Sequence, residues 1–426
     1  LHKAIRRQRQ MCIRDRFRCA YILFLGVVIQ RVTMRILHTG DWHLGRIFYA
    51  HHLTDDQAYV LEEQFFKLLK AAKIDVVVIA GDVFDRAVPP VEAVALWDMV
   101  ITKLAKDYKI PALVIGGNHD SAERLDMGRD LYSDSGVHVW SRMDRSLQPL
   151  YLEDGYGKIA FCPMPFAEPR TLLTHLLETI SAEEQLEEWQ DLAVAFGSTY
   201  AAWADYLRRQ VPEGMRTVGI AHAMVAGSLT SESERPLVIG GSANVGTDVF
   251  APFNYTALGH IHRPQRMGAE HIRYSGSLLK YSFDEANHNK SFTIVDMDAV
   301  GACQIEQVSV EAKHDVVVIK GLFNDILEDK KLHEAHKNNY VQVELADTSP
   351  VIDGMARLRE VFPYAMSLEL TGRMKAEMTS YNEVKYKELS EHELFEQFAA
   401  TVRNEPLSEE EKEFMNSLWQ RLIKED

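Results

Sequence analysis

The sequence predicts an α/β protein with a mostly buried sheet, followed by a small second α/β domain and a pair of C-terminal helices. Three observations predict it. Short β-branched runs recur, each ending in a polar cluster. Between the first of these runs, apolar residues repeat at spacings of three and four. After Asp284 the pattern restarts on a smaller scale.

Taken in order, Arg35–Thr39 runs into GDWH, Asp75–Ala80 into GDVFD, and Ala112–Ile115 into GGNHD. Thr217–Ala221 then precedes His222, and Tyr255–Leu258 precedes GHIH. Such apolar runs, unbroken by polar alternation, suit strands covered on both faces. Helices are expected over Asp56–Lys73 and Val91–Lys106. Residues 165–212, with Leu186, Trp189, Leu192 and Ala195 at helical spacing, read as a helical insertion whose aromatics serve the core. A first domain is expected over 34–290. The strand-like HDVVVIKG, the helix-like LFNDILEDKKLHEAH, the strand-like YVQVELAD and the helix-like MARLREVF place a second over about 310–372.

The tail from Ala376 contains two capping boxes, Ser390–Glu393 and Ser408–Glu411, in which a hydroxyl and a carboxylate satisfy the first amides of a helix. The first helix would show Leu394, Phe395, Phe398 and Val402. The second would show Phe414, Met415, Leu418, Trp419 and Leu422, beyond a break at Asn404, Glu405 and Pro406.

With 46% hydrophobic and 26% charged residues in 426, the chain is neither disordered nor collagen-like. Four cysteines cannot staple it. Cys12 and Cys19 lie in the N-terminal segment, and Cys162 with Cys303 form a sparse pair that suits a reducing, cytoplasmic compartment. Net charge is −15, but residues 1–33 hold eight Lys/Arg against one Asp, so the remainder carries −22. Global electrostatics therefore oppose a nucleic-acid partner, and any such binding must be local or metal-assisted. The first 33 residues mimic a secretory signal weakly, with a late apolar run, Ala20–Ile29, and no small-x-small site. That run is too short to span a bilayer. Met34 is expected to open the native protein, the prefix reading as foreign or untranslated sequence.

Asp41, His43, Asp82, Asn118, His119, His222, His260 and His262 each follow a predicted strand. Alone, any one would be a hydrogen-bonded structural residue; together they belong on one rim, because strand carboxyl ends converge in an open α/β sheet. Imidazoles mixed with carboxylate and amide oxygens, without thiolate, select manganese, iron or zinc over calcium. Even seven of these eight as ligands exceed the needs of one ion. Two ions about 3.5–4 Å apart sharing a carboxylate would use them all, an arrangement suited to in-line displacement at phosphorus.

The motifs D-x-H, G-D-x-x-D, G-N-H-D, His222 and G-H-x-H resemble those of the calcineurin-like binuclear metallophosphoesterases, over Met34 to about Asp284. The resemblance implies a β-sandwich flanked by helices and two divalent ions, manganese first, with magnesium, iron and zinc as alternatives. It implies one ion on Asp41, His43, Asp82 and His262, the other on Asp82, Asn118, His222 and His260. His119 would be catalytic, stabilising the transition state or protonating the leaving group. Asp85 and Asp120 would orient imidazoles or, on an equal footing, close a turn or cap a helix, while Tyr281, Ser282 and Phe283 are landmarks without a derived role.

Details such as GNHDSAERLD and YSGSLLKYSFDE are similar to a DNA-processing branch of that family. This implies an exonuclease on double-stranded ends and an endonuclease at hairpins, working in DNA repair and recombination. It would be a homodimer within a heterotetramer, joined through the C-terminal helices to an SMC-like ATPase. This chain has no G-x-x-x-x-G-K-[ST] loop of its own for ATP. Arg46, Tyr49, His51 and His52 are candidate phosphate contacts. The alternative is a phosphodiesterase or phosphatase for small molecules or phosphoproteins, and a non-enzymatic scaffold is disfavoured by the complete ligand set.

Overall fold

The structure, a computed structural model, describes residues 33–143, 148–180, 189, 192–234, 244–349, 351–371, 407–408, 411–412 and 414–415. The prefix and most of the tail, including the Ser390–Glu393 capping box, lie outside the described residues. The strands are β1 (Met34–Thr39), β2 (Ile47–Phe48), β3 (His51–His52), β4 (Val76–Ala80), β5 (Ala112–Ile115), β6 (Val137–Trp140), β7 (Leu150–Asp154), β8 (Gly157–Met164) and β9 (Arg216–His222). They continue with β10 (Tyr255–Gly259), β11 (Gln265–Met267), β12 (Ala269–Tyr274), β13 (Ser291–Met297), β14 (Cys303–Ser309), β15 (Val316–Gly321), β16 (Tyr340–Leu345) and β17 (Ala365–Leu370).

Two six-stranded sheets carry the first unit, which extends to Val316. One runs β14-β13-β1-β4-β5-β6 and the other β11-β12-β10-β9-β8-β7. In the first, β1, β4, β5 and β6 are parallel, and β13 joins β1 antiparallel. In the second, β8, β9, β10 and β12 are parallel. β13 and β14 lie beyond residue 290, so the first sheet draws its antiparallel edge from a stretch the sequence reading placed in neither domain.

Alternate side chains of each strand point to one face. Ile36, Val76, Val78, Leu113 and Ile115 of the first sheet therefore meet Ile159, Phe161, Val218, Ile220 and Tyr255 of the second in one buried core. The outer face of the second sheet joins the helices Pro169–Thr179 and Phe196–Arg209, where Leu172, Leu176, Tyr200, Trp203 and Leu207 share a cluster with Leu258 and Tyr274. Trp189 is buried there. Leu192 and Ala195, expected within a helix, precede it. The backbone at Ala195 is extended, and its carbonyl accepts from the Thr199 amide and hydroxyl.

On the first sheet's side, Thr54–Val60 continues through a π-type turn, Leu61–Phe65, into Phe66–Ala71. Val91–Thr102 continues likewise into Lys103–Tyr108. Phe65 sits edge-on to Trp42 at 5.7 Å, and Trp42 to Trp97 at 6.1 Å, fixing the loop after β1 against both helices.

The second unit begins at Val317. Its sheet, β15-β16-β17, packs Val341, Val343 and Leu345 with Phe323, Ile326, Leu358 and Phe362. The segment expected as one helix is two, Phe323–Glu328 and Lys330–His336. Asp329 breaks it: its carboxylate accepts from the amides of Lys331 and Leu332 and so caps the second helix. No helix among the described residues is long and apolar enough to cross a membrane.

Candidate metal centre

Strand register sets the site. Thr39 pairs with Ile79, Ala80 with Ile115, and Gly259 with His222, so these strands end level. The loops after them deliver Asp41, Asp82, Asn118, His119 and His260 to one rim, together with His222 and His262. Asn118 is half-buried and the others are buried.

The loops lean on one another through the backbone. The amides of Asp41, His43 and Leu44 donate to the carbonyls of Gly81, Asp82 and Val83. Asp41, His43, Asp82 and His260 all have positive φ, at 51°, 46°, 47° and 106°. Side chains tolerate that region poorly, and its use here aims four functional groups inward at a local conformational cost. Glycine is required beside them. A Cβ on Gly81 would lie 2.2 Å from His222 Nδ1, and one on Gly259 only 1.7 Å from the Ala80 carbonyl oxygen.

Around Asp82 the polar atoms crowd. Its Oδ1 accepts from the His119 amide at 2.8 Å. Its Oδ2 lies 3.6 Å from His43 Nε2, 3.5 Å from His222 Nε2 and 4.0 Å from His119 Nε2. Beside His43, Asp85 and His119, whose ligand atoms also converge, two further groups form, Asp41 with His43 and Asp82, and Asp82 with His222 and His260. Asp82 belongs to both. Asn118 Oδ1 adds itself to the second, at 2.9 Å from His222 Nε2 and 3.1 Å from His260 Nδ1. His262 adds itself to the first, its Nε2 3.0 Å from His43 Nε2.

The protonation pattern favours a cation. His222 Nδ1 donates to the Ala80 carbonyl at 2.9 Å, so Nε2 is the nitrogen that faces the Asn118 carbonyl oxygen and the Asp82 carboxylate, with a proton while the ring is charged and a lone pair once it is neutral. Asp41 Oδ2 and Asp82 Oδ2 are buried without a hydrogen-bond partner. Lone pairs converging on a dry pocket repel unless a positive charge sits among them, so this donor set fits divalent metal. Without it, the pKa values diverge. Burial holds the His43 imidazole well below its ordinary range and pushes His260 down to about 3. Burial likewise raises the Asp41 carboxyl to about 7. Asp82 responds oppositely: burial alone would raise it, but the imidazoles of His222, His43 and His119 hold it well below the carboxylate range. For His222, burial is outweighed by the Asp82 charge, which lifts it to about 9.

His119 Nδ1 donates to the Asp85 carbonyl at 2.8 Å, so its Nε2 faces the cluster. Asp85 thus orients His119 through its backbone, while its Oδ1 is 3.6 Å from His43 Nδ1. Asp120 follows the turn reading. Its carboxylate accepts from the amides of Val83, Phe84 and Gly117, tying the loops after β4 and β5 together. Arg46 is likewise committed, at 2.8 Å from Asp85 Oδ1 and over the Tyr281 ring, rather than projecting toward a phosphate. Tyr49, His51 and His52 are exposed on the β2–β3 ribbon.

Sequence reasoning overlooked Gln57. Its amide nitrogen donates to the Trp42 and His43 carbonyls at 3.0 and 2.8 Å, and its oxygen accepts from Gly45. A buried glutamine on the apolar face of a helix was the available signal. Tyr281 acquires a role beside it: its hydroxyl donates to the Trp42 carbonyl, and its ring stands edge-on to His43 and His262.

Residues 34–264 match the calcineurin-like phosphoesterase family, and residues 312–403 match a second family described as the type 5 capsule protein repressor C-terminal domain. Among curated proteins, the chain is 30% identical to the D subunit of nuclease SbcCD from Staphylococcus saprophyticus, over 92% of this chain and 99% of that one. It is 29% identical to the protein of the same name from Staphylococcus epidermidis, over 88% of this chain and 95% of that one. The chain therefore belongs to the calcineurin-like phosphoesterases and, within them, to the family of SbcCD D subunits.

Proposed function

We propose that this chain is a metal-dependent DNA nuclease that hydrolyses phosphodiester bonds at double-stranded ends and hairpins, working with an SbcC-like SMC-family ATPase. The observation that carries the reading is the shared position of Asp82, whose buried Oδ2 lies 3.5–3.6 Å from an imidazole nitrogen of each ligand group. Asp41, His43, Asp82 and His262 would hold one divalent ion, and Asp82, Asn118, His222 and His260 the other, manganese being the favoured metal. Bound there, the pair supplies a water nucleophile at neutral pH and Lewis acidity for an in-line displacement.

The protein's own part is positioning and proton transfer. Asp41 Oδ1 accepts from the His260 amide at 2.8 Å and so fixes the entry to the G-H-I-H loop. His119, held by Asp85, presents Nε2 to the substrate side, where it would protonate or stabilise the departing sugar oxygen. The −22 charge beyond residue 33 is offset locally, since two ions bring about four positive charges to the rim.

The reading extends to a homodimer within a heterotetramer, as the resemblance in sequence implies. The compartment that goes with the reading is the reducing cytoplasm, which four cysteines in 426 residues suit.

The experiment is cleavage of blunt duplexes and hairpins with manganese, magnesium or chelator, with and without the ATPase, beside hydrolysis of bis(p-nitrophenyl) phosphate. Metal-dependent cleavage of DNA is expected. Hydrolysis of the small diester with no cleavage of any DNA would assign the site to another phosphoester.

A further inference from the structure

His262 is gripped from three directions by residues outside the ligand set. Its amide donates to Glu234 Oε1 at 2.7 Å, and its carbonyl accepts from Lys290 Nζ at 2.7 Å. Its Nδ1 faces two oxygens, Ser233 Oγ at 2.5 Å and Glu285 Oε1 at 3.2 Å. The Ser233 hydroxyl itself hydrogen-bonds Glu285 Oε1. An ionised carboxylate only accepts, so a serine between it and an imidazole must turn its proton to the carboxylate and its lone pair to the ring. Both routes then require a proton on Nδ1. The consequence falls on the far nitrogen: Nε2 keeps its lone pair, 3.0 Å from His43 Nε2.

The carboxylate could not stand there alone. Glu285 is fully buried, and an unpaired buried charge is costly. Lys290, also buried, answers it: Nζ lies 2.6 Å from Glu285 Oε2 and 2.7 Å from Ser277 Oγ while it holds the His262 carbonyl. One ammonium thus fixes both the carboxylate and the backbone of the histidine that the carboxylate orients.

We propose that Glu285 is the positioning residue that fixes the tautomer of His262, acting directly and through Ser233, with Lys290 as its counter-ion. The inference rests on the reading of His262 as a metal ligand. A purely structural salt bridge would pin the Phe283–Asn287 turn and leave the imidazole tautomer to chance. A positioning carboxylate makes one ion of the pair depend on it, and metal ligands that lose such a partner bind about 10–100-fold more weakly.

The test uses the full-length protein. Manganese binding is measured by calorimetry on the wild type, His262→Ala, Ser233→Ala and the paired variant Glu285→Gln/Lys290→Met. The histidine ring nitrogens of the metal-free proteins are followed by ¹⁵N NMR. The paired variant removes both charges at once, and its amide, able to accept or donate, no longer dictates a tautomer.

Expected are two manganese sites in the wild type and one in His262→Ala. In the paired variant one site should weaken by about 10–100-fold while the other is unchanged, and the His262 resonances should move from the Nδ1–H form toward a mixture. Ser233→Ala, which keeps the direct carboxylate contact, should shift both readouts the same way by less, and it carries the test if the paired variant does not fold. Loss of one metal in His262→Ala, with wild-type affinities and an intact Nδ1–H tautomer in the other variants, would overturn the inference alone. Equal weakening of both sites would assign Glu285 to the fold. Two intact sites in His262→Ala would instead remove the ligand reading on which the inference stands.

Discussion

The Ala80 carbonyl oxygen accepts from His222 Nδ1 at 2.9 Å, joining the last residue of β4 in one sheet to the last residue of β9 in the other. The two sheets close at their functional end through this bond, and Gly259 lies in the same gap. A methyl group there would meet the Ala80 oxygen at 1.7 Å, against backbone that no rotamer change can clear. Gly259→Ala is expected to cost about 1–3 kcal/mol in denaturant unfolding, the usual range for overpacking, and to displace His222. Wild-type stability together with wild-type metal content would show that the sheets part freely.

Asp82→Asn keeps the oxygen that accepts from the His119 amide but places an NH₂ where Oδ2 now faces three imidazoles. Metal per chain, measured by elemental analysis, should fall at both sites. Affinity should drop by at least about 100-fold, the upper end for losing a mere neighbour of a ligand and therefore a floor for a shared ligand. Retention of one tight ion would place the bridge elsewhere.

His119 is 4.0 Å from Asp82 Oδ2 by its Nε2 and anchored behind by the Asp85 carbonyl. His119→Leu is expected to leave both ions bound and to lower turnover by about 10²–10⁴, the range for a general acid or base. Metal loss in proportion to activity would identify His119 as a ligand.

The rim was legible because polar residues directly follow buried β-branched runs, and the register of parallel strands then levels them. Membership of two sheets was not. Val76–Ala80 and Tyr255–Gly259 are equally apolar, and nothing in either run says that one pairs with β1 and the other with β9. The supporting residues were hidden for a different reason. Gln57, Ser233 and Glu285 act across 14 to 52 positions of sequence, through single hydrogen bonds that carry no periodicity. For Asp120 the sequence left an imidazole partner and a turn level, because a carboxylate beside a histidine suits both, and the three amides of converging loops favour the turn.

Asp154, at the end of β7, accepts from Arg216 at 2.5 and 2.8 Å and from the Met34 amide at 2.9 Å, holding the starts of β1 and β9 together. Burial alone would raise its carboxyl, but the guanidinium and the amides of Tyr156 and Met34 hold it below the ordinary value. A depressed pKa contributes stability above the unfolded value, about 3.9, and loses it as pH falls through the folded one. Asp154→Asn should therefore cost about 3–5 kcal/mol at neutral pH, leaving Arg216 buried and unpaired. That difference should begin to shrink below about pH 4 and fade as pH passes through the depressed folded value, where the wild type loses the same charge. A gap independent of pH in paired unfolding curves would show that the ion pair is not its source.

The tail offers a prediction from its second capping box. Ser408 and Glu411 bond reciprocally, the Ser408 amide to Glu411 Oε2 at 2.8 Å and the Glu411 amide to Ser408 Oγ at 3.3 Å, so a helix starts there as the sequence indicates. Phe414 in its first turn is 66% exposed. Glu409, Glu410, Glu411 and Glu413 give this end an acidic character that would repel phosphates, which argues against a DNA-reading helix. An acidic rim with apolar residues at helical spacing suits docking into a groove of a partner protein instead. Deleting Glu391–Asp426 is therefore expected to leave metal-dependent hydrolysis of a small phosphodiester within about twofold of wild type, because no proposed ligand lies beyond His262. The same deletion should abolish binding to the SbcC-like ATPase and ATP-stimulated processing of duplex ends. Co-purification of the truncated chain with the ATPase at full affinity would move the docking surface out of the tail.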